Sequence, residues 1–256
     1  MKCEIKYSPA YALLEVNLDP NEIIVAEAGA MVYMTPQINV KTRKREERGI
    51  LQSLKTSLLG SESFFLNEYV AERGPGKVGF VPAPVGDIRA FDVKAGKGLI
   101  LQKSAYVAST RNVIIDTQWQ GFTKGLFGQS LFMLKVSGEG QMFVNAFGAI
   151  DHHTLNSGES LVVDNYHIVA FDDTCKYNVK KFGGLKSTLL GGEGLVTEIT
   201  GPGEVYIQTK SLREFTDWLW ELLSSRVEAT ARRAAEVRSG PGVGQPTGWS
   251  FGKPKV

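Results

Sequence analysis

Short apolar runs separated by turn residues dominate the first 210 positions of the chain. They recur as Ile23 to Val25, Met31 to Met34 and Ile38 to Val40, then Leu99 to Leu101, Tyr106 to Ala108 and Val113 to Ile115, then Leu161 to Val163, Ile168 to Phe171 and Tyr177 to Val179. Each run is too short for a helix. The breaks Thr35-Pro36-Gln37, Thr110-Arg111-Asn112 and Asp172-Asp173-Thr174 are turn-like, so the pattern predicts short β-strands.

A second feature recurs beside the first. The segments Lys55 to Gly60, Lys124 to Gly128 and Lys186 to Gly191 share a Lys-to-Gly pattern, and their closing glycines stand 68 and 63 positions apart. Each precedes an apolar run, a Gly-x-Gly turn and a further apolar run. The turns are Gly74-Pro75-Gly76, Gly138-Glu139-Gly140 and Gly201-Pro202-Gly203. Glycine supplies the positive φ of tight turns, so these read as hairpins, with returning strands at Val78 to Val81, Met142 to Val144 and Val205 to Ile207. Three features in the same order at near-constant spacing predict an all-β fold. Three similar β-sandwich modules of about five strands are expected over residues 1–86, 87–153 and 154–210, packed about a pseudo-threefold axis.

After residue 210 the period changes. Ser211-Leu212-Arg213-Glu214 has capping-box spacing, and Leu212, Phe215, Leu219 and Leu222 follow at helical intervals, which predicts a helix over 211–238. It is expected to cover one open end of the β domain, or to offer Phe215, Trp218 and Trp220 to a partner. A membrane-surface contact through these aromatics is the lesser alternative. Residues 239–256 are rich in Gly and Pro and read as a flexible or extended tail.

Composition narrows the function classes. With 256 residues and 43% hydrophobic content the chain can bury a substantial core. Its formal charge of +2 is too small to make nucleic acid or an anionic membrane the default partner. The two cysteines, Cys3 and Cys175, are expected as free thiols of a reduced compartment. No signal-like or membrane-spanning apolar run is visible, so a soluble, cytoplasmic protein is expected.

Candidate chemistry is sparse. The histidines are His152, His153 and His167, with Asp151 beside the first two. Adjacent strand residues point to opposite faces, so His152 and His153 would not converge on one ion, and the cupin His-x-His spacing is missing. No Gly-x-Ser-x-Gly elbow and no phosphate-loop spacing is present. Lys55, Lys124 and Lys186 are candidate anion or ligand contacts, although their recurrence ties them to the construction of the repeat. The run 41–48 carries five basic and two acidic residues, making Arg43, Lys44 and Arg45 the candidate nucleic-acid contacts. No catalytic set, metal or cofactor is expected.

The segment Ser53-Leu54-Lys55-Thr56-Ser57-Leu58-Leu59-Gly60-Ser61-Glu62-Ser63-Phe64-Phe65, with its two later echoes, resembles the altered-inheritance-of-mitochondria family of mitochondrial biogenesis proteins and their prokaryotic relatives. The likeness spans about residues 1 to 210. It implies three modules similar to the tryptophan RNA-binding attenuator protein, commonly assembled into oligomers. It transfers no activity, because no position here matches the attenuator protein's binding residues. The expectation is a prokaryotic-type member acting as a non-enzymatic binding or scaffold protein, oligomeric, with possible protein partners. The alternative is a small-ligand or RNA-binding module using the loop 41–48 or the three lysines. An enzyme would need a pocket joining His152 or His167 to Asp151 or Asp164.

Overall fold

The computed structural model describes residues 1–43, 66–116, 133–182 and 195–239. Strand β1 (Lys2–Lys6) precedes three sets of six strands. The first set is β2 (Leu13–Leu18), β3 (Ile23–Glu27), β4 (Met31–Met34), β5 (Ile38–Arg43), β6 (Leu66–Ala71) and β7 (Gly76–Phe80). The second is β8 (Gly86–Val93), β9 (Leu99–Gln102), β10 (Tyr106–Thr110), β11 (Val113–Asp116), β12 (Met133–Gly138) and β13 (Gly140–Phe147). The third is β14 (Ile150–Leu155), β15 (Ser160–Asp164), β16 (Ile168–Asp172), β17 (Lys176–Lys181), β18 (Leu195–Thr200) and β19 (Gly203–Gln208).

Within every set the antiparallel pairing is the same. The sixth strand lies between the first and third, and the fifth lies between the second and fourth. Even the irregularities coincide: the register shifts between Met31 and Tyr33, between Tyr106 and Ala108, and between Ile168 and Ala170. Each shift is a β-bulge at the same point of the third strand.

Two expectations need correcting. The Gly-x-Gly turns do not close hairpins: β6 pairs with β3 and β5, whereas β7 pairs with β2 and β4. The turns carry the chain from one sheet of the sandwich to the other, and the backbone crowding at the corner selects glycine. Gly138 has φ +95°, and a Cβ there would collide with the Asn112 carbonyl. Among the described residues each set also has six strands rather than about five. The strands not foreseen are β2, β8 and β14, the first of each set; β14 is mostly polar (Asp151-His152-His153-Thr154) because much of it faces solvent.

The sets join in series. β3 pairs with β10 and β9 pairs with β16, so the strands form four sheets: β1-β2-β7-β4, β5-β6-β3-β10-β13-β8, β11-β12-β9-β16-β19-β14 and β15-β18-β17. Three hydrophobic cores lie between successive sheets. The first contains Leu14, Val16, Tyr69 and Phe80, the second Leu101, Tyr106, Met142 and Val144, and the third Ile100, Phe171, Ile199 and Val205. Adjacent residues of one strand feed different cores, as Ile100 and Leu101 do. This explains why β9, β10 and β16 read as unbroken apolar runs: an inner sheet is buried on both faces, and period-two alternation disappears.

The chain divides into two units, the first Met1–Leu212 and the second beginning at Arg213, where nearly all of the helix α1 (Leu212–Ser239) lies. It starts directly after Ser211, as the capping-box spacing predicts, with Glu214 in its first turn where a negative charge favours the helix dipole.

Candidate interaction surface

Strand β4 has a different environment from its counterparts. Met31, Val32, Tyr33 and Met34 are all exposed, with Val32 at 58%. The equivalent residues of β10 (Tyr106, Val107, Ala108 and Ser109) and of β16 (Ile168, Val169, Ala170 and Phe171) are 0–1% exposed. The sequences are equally apolar, so the difference lies in the neighbours. β10 is flanked by β13 and β3, and β16 by β19 and β9, whereas β4 has β7 on one edge and no partner among the described residues on the other. An exposed apolar strand edge is a template for pairing with another chain. Covering what remains exposed of one such side chain is worth about 1 kcal/mol, roughly half the value for a fully exposed one.

The other end of the series mirrors this one. Among the described residues β15 pairs with β18 alone, while its counterparts β3 and β9 each pair on both edges. Val162 of β15 is 47% exposed, whereas Ile100, at the equivalent position of β9, is 3% exposed.

Behind β4, on the outer face of the first sheet, lies a charged cluster that the sequence pattern did not signal. The registers align Glu4, Glu15, Gly79 and Tyr33 in one row across β1, β2, β7 and β4. Gly79 leaves room for the Tyr33 ring, which would lie 2.5 Å from a Cβ there. Across that gap the Tyr33 hydroxyl donates to Glu15 Oε2 at 2.6 Å, and Lys6 Nζ and Lys77 Nζ approach Glu15 Oε1 at 3.0 and 3.1 Å. The Tyr33 hydrogen bond, then the Lys6 and Lys77 ammonium groups, hold the nearly buried Glu15 carboxyl down at about 2. Tyr33 is pushed up by donating to that carboxylate.

Of the foreseen histidines, His152 and His153 sit on β14 and His167 in the turn after β15. His152 stacks on Tyr206, centroids 4.7 Å apart, and bonds Glu204, which also accepts from Thr154 at 2.9 Å. The Arg89 guanidinium lies over the Tyr206 ring, 5.2 Å from its centroid. His153 projects away from His152 and pairs with Asp151 at 3.2 Å, as strand alternation requires. His167 Nδ1 lies 2.7 Å from the Gln208 carbonyl. No group of three or more metal-ligating side chains converges among the described residues. Cys3 is half-buried and Cys175 buried; both are free thiols, pushed up to about 11 chiefly by burial, and so are poor nucleophiles near neutrality. A shallow cleft of about 300 Å³ lies beside the end of β4, lined by Asn17, Asp19, Thr35, Gln37 and Lys77 among others.

The candidate lysines Lys55, Lys124 and Lys186, together with Lys44 and Arg45, lie outside the described residues. Arg43 is the last residue of β5. On α1, Phe215, Trp218 and Trp220 are exposed, with the Phe215 and Trp218 rings 5.9 Å apart. No helix among the described residues is long and apolar enough to cross a membrane.

Comparison with known proteins places this architecture. An uncharacterised protein of Streptococcus pyogenes serotype M6 is 28% identical over 225 residues, covering 86% of this chain and 90% of the relative. An X-ray crystal structure of a Streptococcus pyogenes protein superposes with a TM-score of 0.71 at 26% identity, covering 87% of this chain and 99% of that one. The family model described as mitochondrial biogenesis AIM24 matches residues 3–210, the whole β unit but for its ends. The chain therefore belongs to the mitochondrial biogenesis AIM24 family, as a member of the prokaryotic type.

Proposed function

We propose that the chain is a non-enzymatic binding or scaffold protein, cytoplasmic, that works as a homo-oligomer built from its triplicated β unit. The observation that supports this reading is the four-residue apolar edge Met31–Met34, exposed here and buried in both internal counterparts. A strand edge of this kind gains from main-chain pairing as well as from apolar burial, which suits a protein whose work is assembly. The polar groups fit the same reading. Glu15, His152 and Glu204 are tied into cross-strand contacts with Tyr33, Tyr206 and Thr154.

Size-exclusion chromatography with light scattering on the full chain tests the proposal. The expected result is a mass that is a multiple of 28.0 kDa. A monomer at every concentration reached would overturn it.

A further inference from the structure

The helix α1 lies beyond residue 210, where the match to the family ends. Its large apolar side chains stay exposed in the whole chain, Trp220 at 62%, Leu222 at 54%, Val227 at 49% and Leu223 at 46%. At about 100° per residue they gather on one side, running from Leu222 and Phe215 through Leu219 and Leu223 to Val227 and Trp220 in an arc of about 160°. The opposite side carries Glu214, Asp217, Glu221 and Glu228. An arc this wide exceeds a bare coiled-coil seam and matches a seam together with both of its flanks.

We infer that α1 pairs antiparallel with α1 of a second copy, about a two-fold axis at Glu221; this inference rests on the oligomeric reading above and adds a contact to it. Leu212, Leu219 and Arg226 recur every seventh residue, and Thr216, Leu223 and Thr230 do the same between them, which defines the seam. Charge sets the direction. A parallel pair in register stacks every seam residue on itself, so Arg226 would meet Arg226 of the copy. The antiparallel pair places Leu219 against Leu223 twice at the centre and brings Trp220 and Leu222 against their own copies on the two flanks. It also holds the two Arg226 residues about 15 Å apart along the axis, at ten residues of 1.5 Å each.

Charge also selects the occupant. Each Arg226 comes level with the acidic first turns of the copy, on the flank where Phe215 and Trp218 lie with their rings 5.9 Å apart and Glu214 follows. Aromatic faces beside a carboxylate suit a guanidinium. An anionic lipid surface offers the reverse match, because four carboxylates line the helix over 212–231 against Arg213 and Arg226. The contact is isologous and closes on itself, so it doubles whatever assembly the β unit makes.

Mixing two singly substituted full-length chains, Leu219→Cys and Leu223→Cys, under mild oxidation tests the pairing. Helix axes about 8–10 Å apart, with Cα atoms about 2.3 Å off each axis, leave facing seam positions about 6 Å apart, within the range a disulfide spans. The expected result is a covalent dimer on a non-reducing gel that neither variant forms alone. Covalent dimers from each variant by itself, with none gained on mixing, would mean parallel pairing and overturn the inference. Leu223→Asp, at a position 46% exposed in the single chain, is expected to halve the light-scattering mass with the circular dichroism unchanged. If the wild type is oligomeric yet the mixture forms no dimer and Leu223→Asp leaves the mass unchanged, the helix pair is wrong while the oligomeric reading stands. A wild type that is monomeric throughout removes both.

Discussion

Replacing Glu15 by glutamine should make the β unit less stable near neutrality, by a deficit that shrinks in acid. The folded carboxyl sits at about 2 against an ordinary 4.5. At about 1.4 kcal/mol per pK unit the gap sets a ceiling of about 3 kcal/mol. The Lys77 side chain is 41% exposed and solvent screens such pairs, so about 1–2 kcal/mol is the better expectation. A folded value below the unfolded one means that the unfolded chain binds the proton more readily. The contribution is therefore complete above about pH 5 and is lost as the pH falls toward about 2. Urea unfolding followed by circular dichroism at about pH 7 and about pH 3 reads the difference. Glu22 and Glu72, also held low, contribute equally to both proteins and cancel in the comparison. A deficit of the same size at both pH values would refute the ion-cluster account and point instead to packing of the Glu15 stem.

Other expectations follow from the same contacts. Phe171→Ala should cost about 3–5 kcal/mol, because the ring is fully buried in the third core, where β16 meets β9; a denaturant midpoint measures it, and a loss under 1 kcal/mol would contradict the described junction. Gly79→Phe should destabilise by displacing the Tyr33 ring, and adding Tyr33→Ala should restore most of the loss by recreating the Ala108 and Phe143 arrangement of the second set. A double-mutant cycle on this pair is expected to show favourable coupling of about 0.5–3 kcal/mol, and simple additivity would count against the equivalence of the two positions.

Much of the strand content was legible because apolar runs with turn residues between them announce strands whatever the sheet order. Met31 to Met34, Tyr106 to Ala108 and Ile168 to Phe171 were all readable in this way. The first strand of each set was not: β14 presents Asp151 and His152 to solvent, so its composition resembles a loop. Sheet order was also hidden. Glycine at Gly74, Gly138 and Gly203 takes positive φ, but a hairpin and a sheet-to-sheet corner call for the same residue there. Only the long-range pairing of β6 and β7 to different strands separates the two.

The candidate surface was harder still, because β4 is written in the same apolar residues as β10 and β16. Its exposure depends on which strand lies beside it, a matter of topology rather than of local pattern. The row that joins Tyr33 to Glu15 across Gly79 was likewise out of reach, since a register brings together residues that are far apart in the chain. The histidines show the opposite case: their failure to converge on one face follows from strand alternation alone.

Amide hydrogen exchange of the full chain as its concentration is raised tests the two-ended architecture most directly. The account predicts that the amides of β4 and of β15 that face their free edges slow as the light-scattering mass rises, because assembly covers them. A mass that rises while both segments keep the exchange rates of the dilute monomer would contradict it.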